Sequence, residues 1–209
     1  MPLLHKTVPS ILLWEIIETE EELLSLLPHQ TIYSEEVCKF KSEKRRKEWL
    51  ATRVLFHTIF SPEHSICYHP TGRPFISKSK QNISISHSFP YVAIACSPQN
   101  IGIDIERITN RASLLTEKFL SPKEETFLKA LKYPTIQTSS VLLWSAKESV
   151  YKTVDIPSLN IKDDIQLTLN KTNILASLPA HEMKLTVSYH IMTKFVLTIC
   201  TFPAIYPKE

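Results

Sequence analysis

The sequence predicts an α+β protein made of two similar α+β halves, and three observations carry the prediction. Helix-period and strand-period segments are mixed along the chain. Residues 49–56 (Trp-Leu-Ala-Thr-Arg-Val-Leu-Phe) resemble residues 144–151 (Trp-Ser-Ala-Lys-Glu-Ser-Val-Tyr), and residues 92–97 resemble 196–201. Helix-then-strand order repeats with them, the mark of two related units. The halves are drawn at 1–100 and 101–209.

In order, the pattern gives a strand near 11–17, a helix over 20–27, and a helix from about 43 to 60 that ends before Pro62. A turn at 70–74 precedes strand-like segments at 82–86 and 91–97 and an acidic strand at 101–106. Helices are expected near 112–119, 122–132 and 137–153. Ser121-Pro122-Lys123-Glu124 marks one start, with Ser at the N-cap, Pro at the first helical position and an acid in the first turn. Strands around 164–169, 184–192 and 194–201 follow.

The 209 residues, 43% hydrophobic, suit one large globular domain or two small ones. No apolar run approaches the roughly 20 residues of a membrane span, and Glu15 interrupts the Ile11-Leu12-Leu13-Trp14 run before it reaches signal-peptide length. The expectation is a cytoplasmic protein with no membrane partner. Cys38, Cys67, Cys96 and Cys200 are scattered without a Cys-x-x-Cys spacing, as reduced structural thiols would be. A net charge of +3 gives little general attraction for nucleic acid, although Lys39, Lys41, Lys44, Arg45, Arg46, Lys47 and Arg53 form a local basic stretch. The chain has two glycines, Gly72 and Gly102, so each marks a candidate for positive φ or a close backbone approach to a ligand, the plain alternatives being a turn at Gly72 and a strand irregularity at Gly102.

Chemistry concentrates in two segments, Ile101-Gly102-Ile103-Asp104-Ile105-Glu106 and residues 144–152. On a strand, Asp104 and Glu106 share a face, roughly 6.5–7 Å apart along the backbone. Two carboxylates that close repel by about 2 kcal/mol at an effective dielectric near 20, so a partly buried pair calls for a cation. On a helix, Glu148 and Lys152 share a face at i,i+4. Three carboxylates without His or Cys ligands specify a hard cation, Mg²⁺ or Mn²⁺, whose shell is completed by water and phosphate. Lys152, Arg46, Arg53, Arg73 and His87 would supply the cationic side of a phosphate site, so phosphoryl-type transfer is the favoured chemistry. The plain alternatives are a surface ion pair for Glu148 and Lys152, a turn histidine for His87, and core positions for Trp144 and Tyr151.

The order Gly72-Arg73-Pro74, Ile85-Ser86-His87-Ser88, Gly102-Ile103-Asp104-Ile105-Glu106 and Trp144-Ser145-Ala146-Lys147-Glu148-Ser149-Val150-Tyr151-Lys152 resembles the 4′-phosphopantetheinyl transferases of the surfactin-synthetase-activating type. The likeness spans roughly residues 45–152. It implies two halves related by a pseudo-twofold with the active site at their interface, residues 1–100 contacting the nucleotide of coenzyme A and 101–209 carrying the metal site and catalytic helix. It implies a holo-[acyl-carrier-protein] synthase activity. The phosphopantetheine arm of CoA passes to a serine of an acyl or peptidyl carrier protein, with Mg²⁺, and adenosine 3′,5′-bisphosphate is released. Carried over by motif, Asp104, Glu106 and Glu148 are the metal set, Lys152 contacts phosphate or assists proton transfer, and Arg53, Arg73, Ser86 and His87 hold the nucleotide end. Arg73 stands where relatives commonly have lysine, which keeps the charge and changes its geometry.

A serine hydroxyl needs a base within about 3 Å, directly or through one water. Glu148 is the candidate, with Glu124 the second choice because residues 119–124 resemble a family segment bearing another acid. The rival readings are a noncatalytic carrier-binding homologue and a Mg²⁺-dependent nuclease. The carrier would dock on the basic stretch 39–53 or on residues near 112–132. Two halves suffice for one site, so a monomer is expected.

Overall fold

Two long helices organise the chain, each lying on its own antiparallel sheet. The computed structural model describes residues 3–5, 10–131, 134–170 and 172–202. The chain divides into two units, Met1–Pro98 and Gln99–Glu209, each with its own apolar core.

The N-terminal unit runs β1 (Leu3–His5), β2 (Ser10–Glu15), α1 (Glu20–Ser25), α2 (Gln30–Val37), α3 (Glu43–His57), β3 (Ile66–Tyr68), β4 (Pro74–Ile76), β5 (Asn82–Ser88) and β6 (Tyr91–Ser97). Its main sheet has the order β1-β2-β6-β5, antiparallel throughout, and β3 and β4 form a separate ribbon. Thr19 and Glu22 close a capping box on α1. Ser42 caps α3 by accepting from the Arg45 N–H. The inner face of α3 buries Leu50, Leu55 and Phe56 with Leu12 and Ile94 of the sheet.

The C-terminal unit runs β7 (Ile101–Arg107), α4 (Asn110–Ser113), α5 (Thr116–Phe119), α6 (Pro122–Ala130), α7 (Ile136–Val154), β8 (Gln166–Asn170), β9 (Asn173–Leu178), β10 (Met183–Ile191) and β11 (Phe195–Thr201). Its sheet order is β7-β11-β10-β9-β8, again antiparallel. Both units trace one path. The strand before the long helix pairs with the last strand of the unit, which pairs with the strand preceding it. The repeated sequence segments fall on equivalent elements, α3 with α7 and β6 with β11.

Helix α7 approaches β7 unusually closely. A Cβ built on Gly102 would stand 1.9 Å from the Ser149 carbonyl oxygen and 2.9 Å from Thr153 N. The seam is lined by small hydroxyl residues that satisfy one another: Ser145 Oγ lies 2.9 Å from Thr198 Oγ1, and Thr153 Oγ1 donates to Ser149 O (2.7 Å) and Cys200 O (3.2 Å). The backbone oxygen cannot give way as a side chain would, so Gly102→Ala is expected to destabilise the unit by about 3 kcal/mol. A denaturation midpoint equal to wild type would contradict this. Gly72 has the other role of a scarce glycine, a turn position at φ +86°.

Several elements differ from expectation. The 112–119 helix is two single turns, α4 and α5, and Ser113 Oγ bonds the Asn110 carbonyl within the first. α2 was not legible because only Val37 of its eight residues is buried, so no apolar stripe marks it. The β3–β4 ribbon and β9 are short and also went unread. No helix among the described residues is long and apolar enough to cross a membrane. All four cysteines are free thiols, and burial pushes Cys96 and Cys200 up to about 12.

Candidate functional site

β7 alternates isoleucines into the core with acids on the other face, and the Gly102 contact sets α7 against that strand. Asp104, Glu106, Glu148 and Lys152 are thereby gathered in the C-terminal unit. Lys152 Nζ donates to Asp104 Oδ1 at 2.7 Å and to the Ile103 carbonyl at 3.2 Å. Glu106 Oε1 accepts from Trp144 Nε1 at 3.3 Å, and the Trp144 ring packs edge-on against Phe119 with centroids 5.2 Å apart. Trp144, expected as core, therefore also orients a carboxylate. Tyr151, likewise expected as core, is exposed, because it falls on the outer face of α7.

Burial, followed by the charge of Asp104, pushes the Glu148 carboxyl up to about 7; Lys152 pulls it down and Glu106 adds to the rise. Three carboxylates in one cluster suit a hard divalent cation, which would relieve the part of the Glu148 rise that comes from Asp104 and Glu106. Among the described residues no three His, Cys, Asp or Glu side chains already converge on one point. Mg²⁺ held by one or two carboxylates, water and substrate phosphate is compatible with that spacing.

The linkage sign follows from the raised value. Glu148 is protonated more readily in the fold than in the unfolded chain, so its contribution to stability is present below about 4.5 and lost as pH rises through about 7. Without metal, the melting temperature of wild type should fall relative to Glu148→Gln between pH 5 and 8, and Mg²⁺ should narrow the gap. A gap that does not vary with pH would contradict the assignment.

A cavity of about 250 Å³ opens beside this cluster, with Glu106 and Trp144 on one wall, Phe119 and Val141 in its lining, and Arg107 and Lys118 among its cations. It joins an apolar surface to a cationic one next to the acids.

In the N-terminal unit, Ser86 and His87 are consecutive on β5, Ser86 buried and His87 exposed. Arg73 is half-buried in the turn that leads into β4. Two expected site residues are engaged inside the protein. Arg53 does not present its guanidinium outward: it is 6% exposed, lies 3.6 Å over the Trp49 ring and donates to the Trp49 carbonyl. It falls four residues after Trp49 on the inner face of α3, which is why. Glu124 does not join the other acids: Oε2 accepts from Ser121 N and Oγ and from Lys147 Nζ (2.9 Å), and Oε1 accepts from Leu167 N. Arg46, too, is committed internally, with Nε bonded to both Glu20 oxygens.

Sequence reasoning gave Lys147 no role. It is fully buried, and its ammonium binds Glu124 and the carbonyls of Ile161, Lys162 and Ile165. Burial pushes it below the usual lysine range against the pull of Glu124. Its place between Ser145 and Glu148 in the helix motif was the available signal.

Residues 100–200 match the model of the 4′-phosphopantetheinyl transferase superfamily. The chain is 30% identical over 139 residues to a 4′-phosphopantetheinyl transferase of Bacillus subtilis, covering 62% of this chain and 59% of the relative. It is 30% identical over 109 residues to the 4′-phosphopantetheinyl transferase gsp of Aneurinibacillus migulanus, covering 51% and 46%. The aligned part thus spans less than two thirds of either relative. The segment similar to the 4′-phosphopantetheinyl transferase superfamily contains β7, α7 and all four residues of the acid and lysine cluster.

Proposed function

We propose that this protein transfers the 4′-phosphopantetheine arm of coenzyme A to a serine of an apo acyl or peptidyl carrier protein and releases adenosine 3′,5′-bisphosphate. The observation that carries the reading is the cluster of Asp104, Glu106, Glu148 and Lys152, in which Lys152 Nζ donates to Asp104 Oδ1 at 2.7 Å and Trp144 Nε1 to Glu106 Oε1 at 3.3 Å. The similarity of residues 100–200 to the 4′-phosphopantetheinyl transferase superfamily and the names of the two relatives support it.

In this reading Asp104, Glu106 and Glu148 would hold Mg²⁺, one of them through water, and the ion would neutralise charge on the CoA diphosphate. Glu148 takes the proton from the carrier serine, directly or through one water. The serine oxygen bonds to the phosphorus that bears the pantetheine arm, and the bond from that phosphorus to the nucleotide diphosphate oxygen breaks. Lys152, fixed by Asp104, faces the phosphoryl oxygens as a charge partner. Trp144 keeps Glu106 in place. Arg73, Ser86 and His87 hold the nucleotide end, which assigns coenzyme contacts to the N-terminal unit and the metal and base to the C-terminal unit. All of these residues come from one chain, in keeping with a monomer, and four free thiols suit the reducing cytoplasm.

The test is release of adenosine 3′,5′-bisphosphate from CoA, followed by chromatography, with apo carrier and Mg²⁺ and with an EDTA control. Metal-dependent release that requires the carrier supports the reading. Mg²⁺-dependent cleavage of plasmid DNA without nucleotide release would replace it with a nuclease.

A further inference from the structure

The connection between α7 and β8 has no part in the chemistry above, yet its side chains build it into a fixed shape. Asn160 Oδ1 accepts from Lys162 N at 2.9 Å and from Asp163 N at 3.2 Å, and Asn160 N donates to Asp164 Oδ2 at 2.7 Å. Asp164 N returns to the Asn160 carbonyl at 2.9 Å. An asparagine that stands in for backbone partners in this way holds a loop without burying apolar surface.

The loop reaches in two directions. The Ile161 and Lys162 carbonyls accept from Lys147 Nζ at 3.1 and 3.2 Å, which fixes the loop to α7 one residue before Glu148. The Lys162 side chain runs the other way, and its Nζ donates to the Glu117 carbonyl at 2.7 Å. Glu117 belongs to α5, a single turn too short to hold its own shape, whose last carbonyls have no helical partner. Phe119 anchors the inner side of that turn, buried edge-on against Trp144, and the lysine cation secures its carbonyl end. Lys118 and Phe119 of the same turn, with Leu115 before it, line the cavity beside Glu106. One side chain therefore ties the wall of that cavity to the loop that grips α7 next to Glu148.

We propose that Lys162, seated on the Asn160 loop, is a positioning residue that holds α5 at the distance from α7 at which an acceptor resting on the α5 wall brings its serine to the acid cluster. The proposal rests on the reading of a carrier protein as the acceptor. Lys162 touches no reacting atom. Its substitution moves the wall that the acceptor meets and leaves the cluster in place, because Lys147 is held by backbone carbonyls and Trp144 still bonds Glu106.

Steady-state transfer, with carrier and CoA varied in turn, should be measured for wild type, Lys162→Met, Lys162→Arg, Asn160→Ala and the double variant Asn160→Ala with Lys162→Met. Methionine keeps the apolar stem of lysine and loses the donor, whereas arginine keeps a donor. Lys162→Met and Asn160→Ala should each raise the carrier KM about fivefold, the effect of one charge-assisted hydrogen bond, with the KM of CoA unchanged and kcat within about twofold of wild type. The double variant should show the same rise of about fivefold, because Asn160 acts by seating Lys162. Lys162→Arg should restore most of the carrier KM. A carrier KM equal to wild type in Lys162→Met overturns the inference and leaves the proposed function standing. A loss confined to kcat that tracks a lower melting temperature overturns it too, since it would mark Lys162 as a structural residue. Wild type that transfers to neither acyl nor peptidyl carriers overturns the proposed function and this role with it. If Asn160→Ala does not fold, Lys162→Met decides on the same terms.

Discussion

Glu148→Gln is expected to lower kcat for carrier modification by on the order of 10²–10⁴-fold, with the fold intact and CoA still bound. Glutamine keeps the shape of the side chain and one hydrogen-bonding oxygen but cannot take a proton. The position favours a base because burial and two neighbouring acids have raised its carboxyl to about 7. Loss of the charge also removes repulsion from Asp104 and Glu106, so the metal-free variant should melt no lower than wild type at pH 8. Near-normal transfer by Glu148→Gln would remove this residue from the mechanism. Loss of folding would show that it acts on the structure instead.

The largest expected effect on stability comes from Lys147→Met, which should lower unfolding free energy by about 3–5 kcal/mol. The substitution leaves Glu124 charged, buried and without its ammonium partner, and it frees the carbonyls of Ile161, Lys162 and Ile165 together. Those contacts tie α7 to α6 and to the segment entering β8, so the loss should be felt across the C-terminal unit. Adding Glu124→Gln to Lys147→Met removes the stranded charge and should recover part of the loss, a coupling that a double-mutant cycle reads directly. Denaturant midpoints for the four proteins test this. Strict additivity of the two single effects would show that the residues do not act as a pair.

The contrast between Glu148 and Glu124 shows what the sequence made legible. Glu148 was readable because its neighbours are set by local periods: two on β7 places Asp104 with Glu106, and four on α7 places Glu148 with Lys152. The crossing of these elements was not readable: the scarcity of glycine pointed at Gly102 as an approach to a ligand, and what approaches it is α7. Glu124 carries a correct helix-start signal, and its bonds to Lys147 and Leu167 were not legible from it. Its partner Lys147 arrives from another helix, and no spacing encodes that meeting.

Arg53 illustrates a missed cue. Its offset of four from Trp49 puts it on the inner face of α3, so its burial followed from the helical period, whereas the basic stretch around it suggested a ligand. The internal likeness of the halves was legible because Trp49 and Trp144 start equivalent stretches of long helices. α2 and β9 were not, because an eight-residue helix with one buried side chain and a short strand give weak periodicity.

The account stands on transfer of the phosphopantetheine arm, and intact mass spectrometry of the carrier reads it without assumptions about site residues. An apo acyl carrier protein and an apo peptidyl carrier protein should each be incubated with this protein, CoA and Mg²⁺, and in parallel with EDTA. The predicted result is a gain of one phosphopantetheine on at least one carrier, present with Mg²⁺ and absent with EDTA. No gain on either carrier by a protein that binds CoA would contradict it and point to a noncatalytic carrier-binding role.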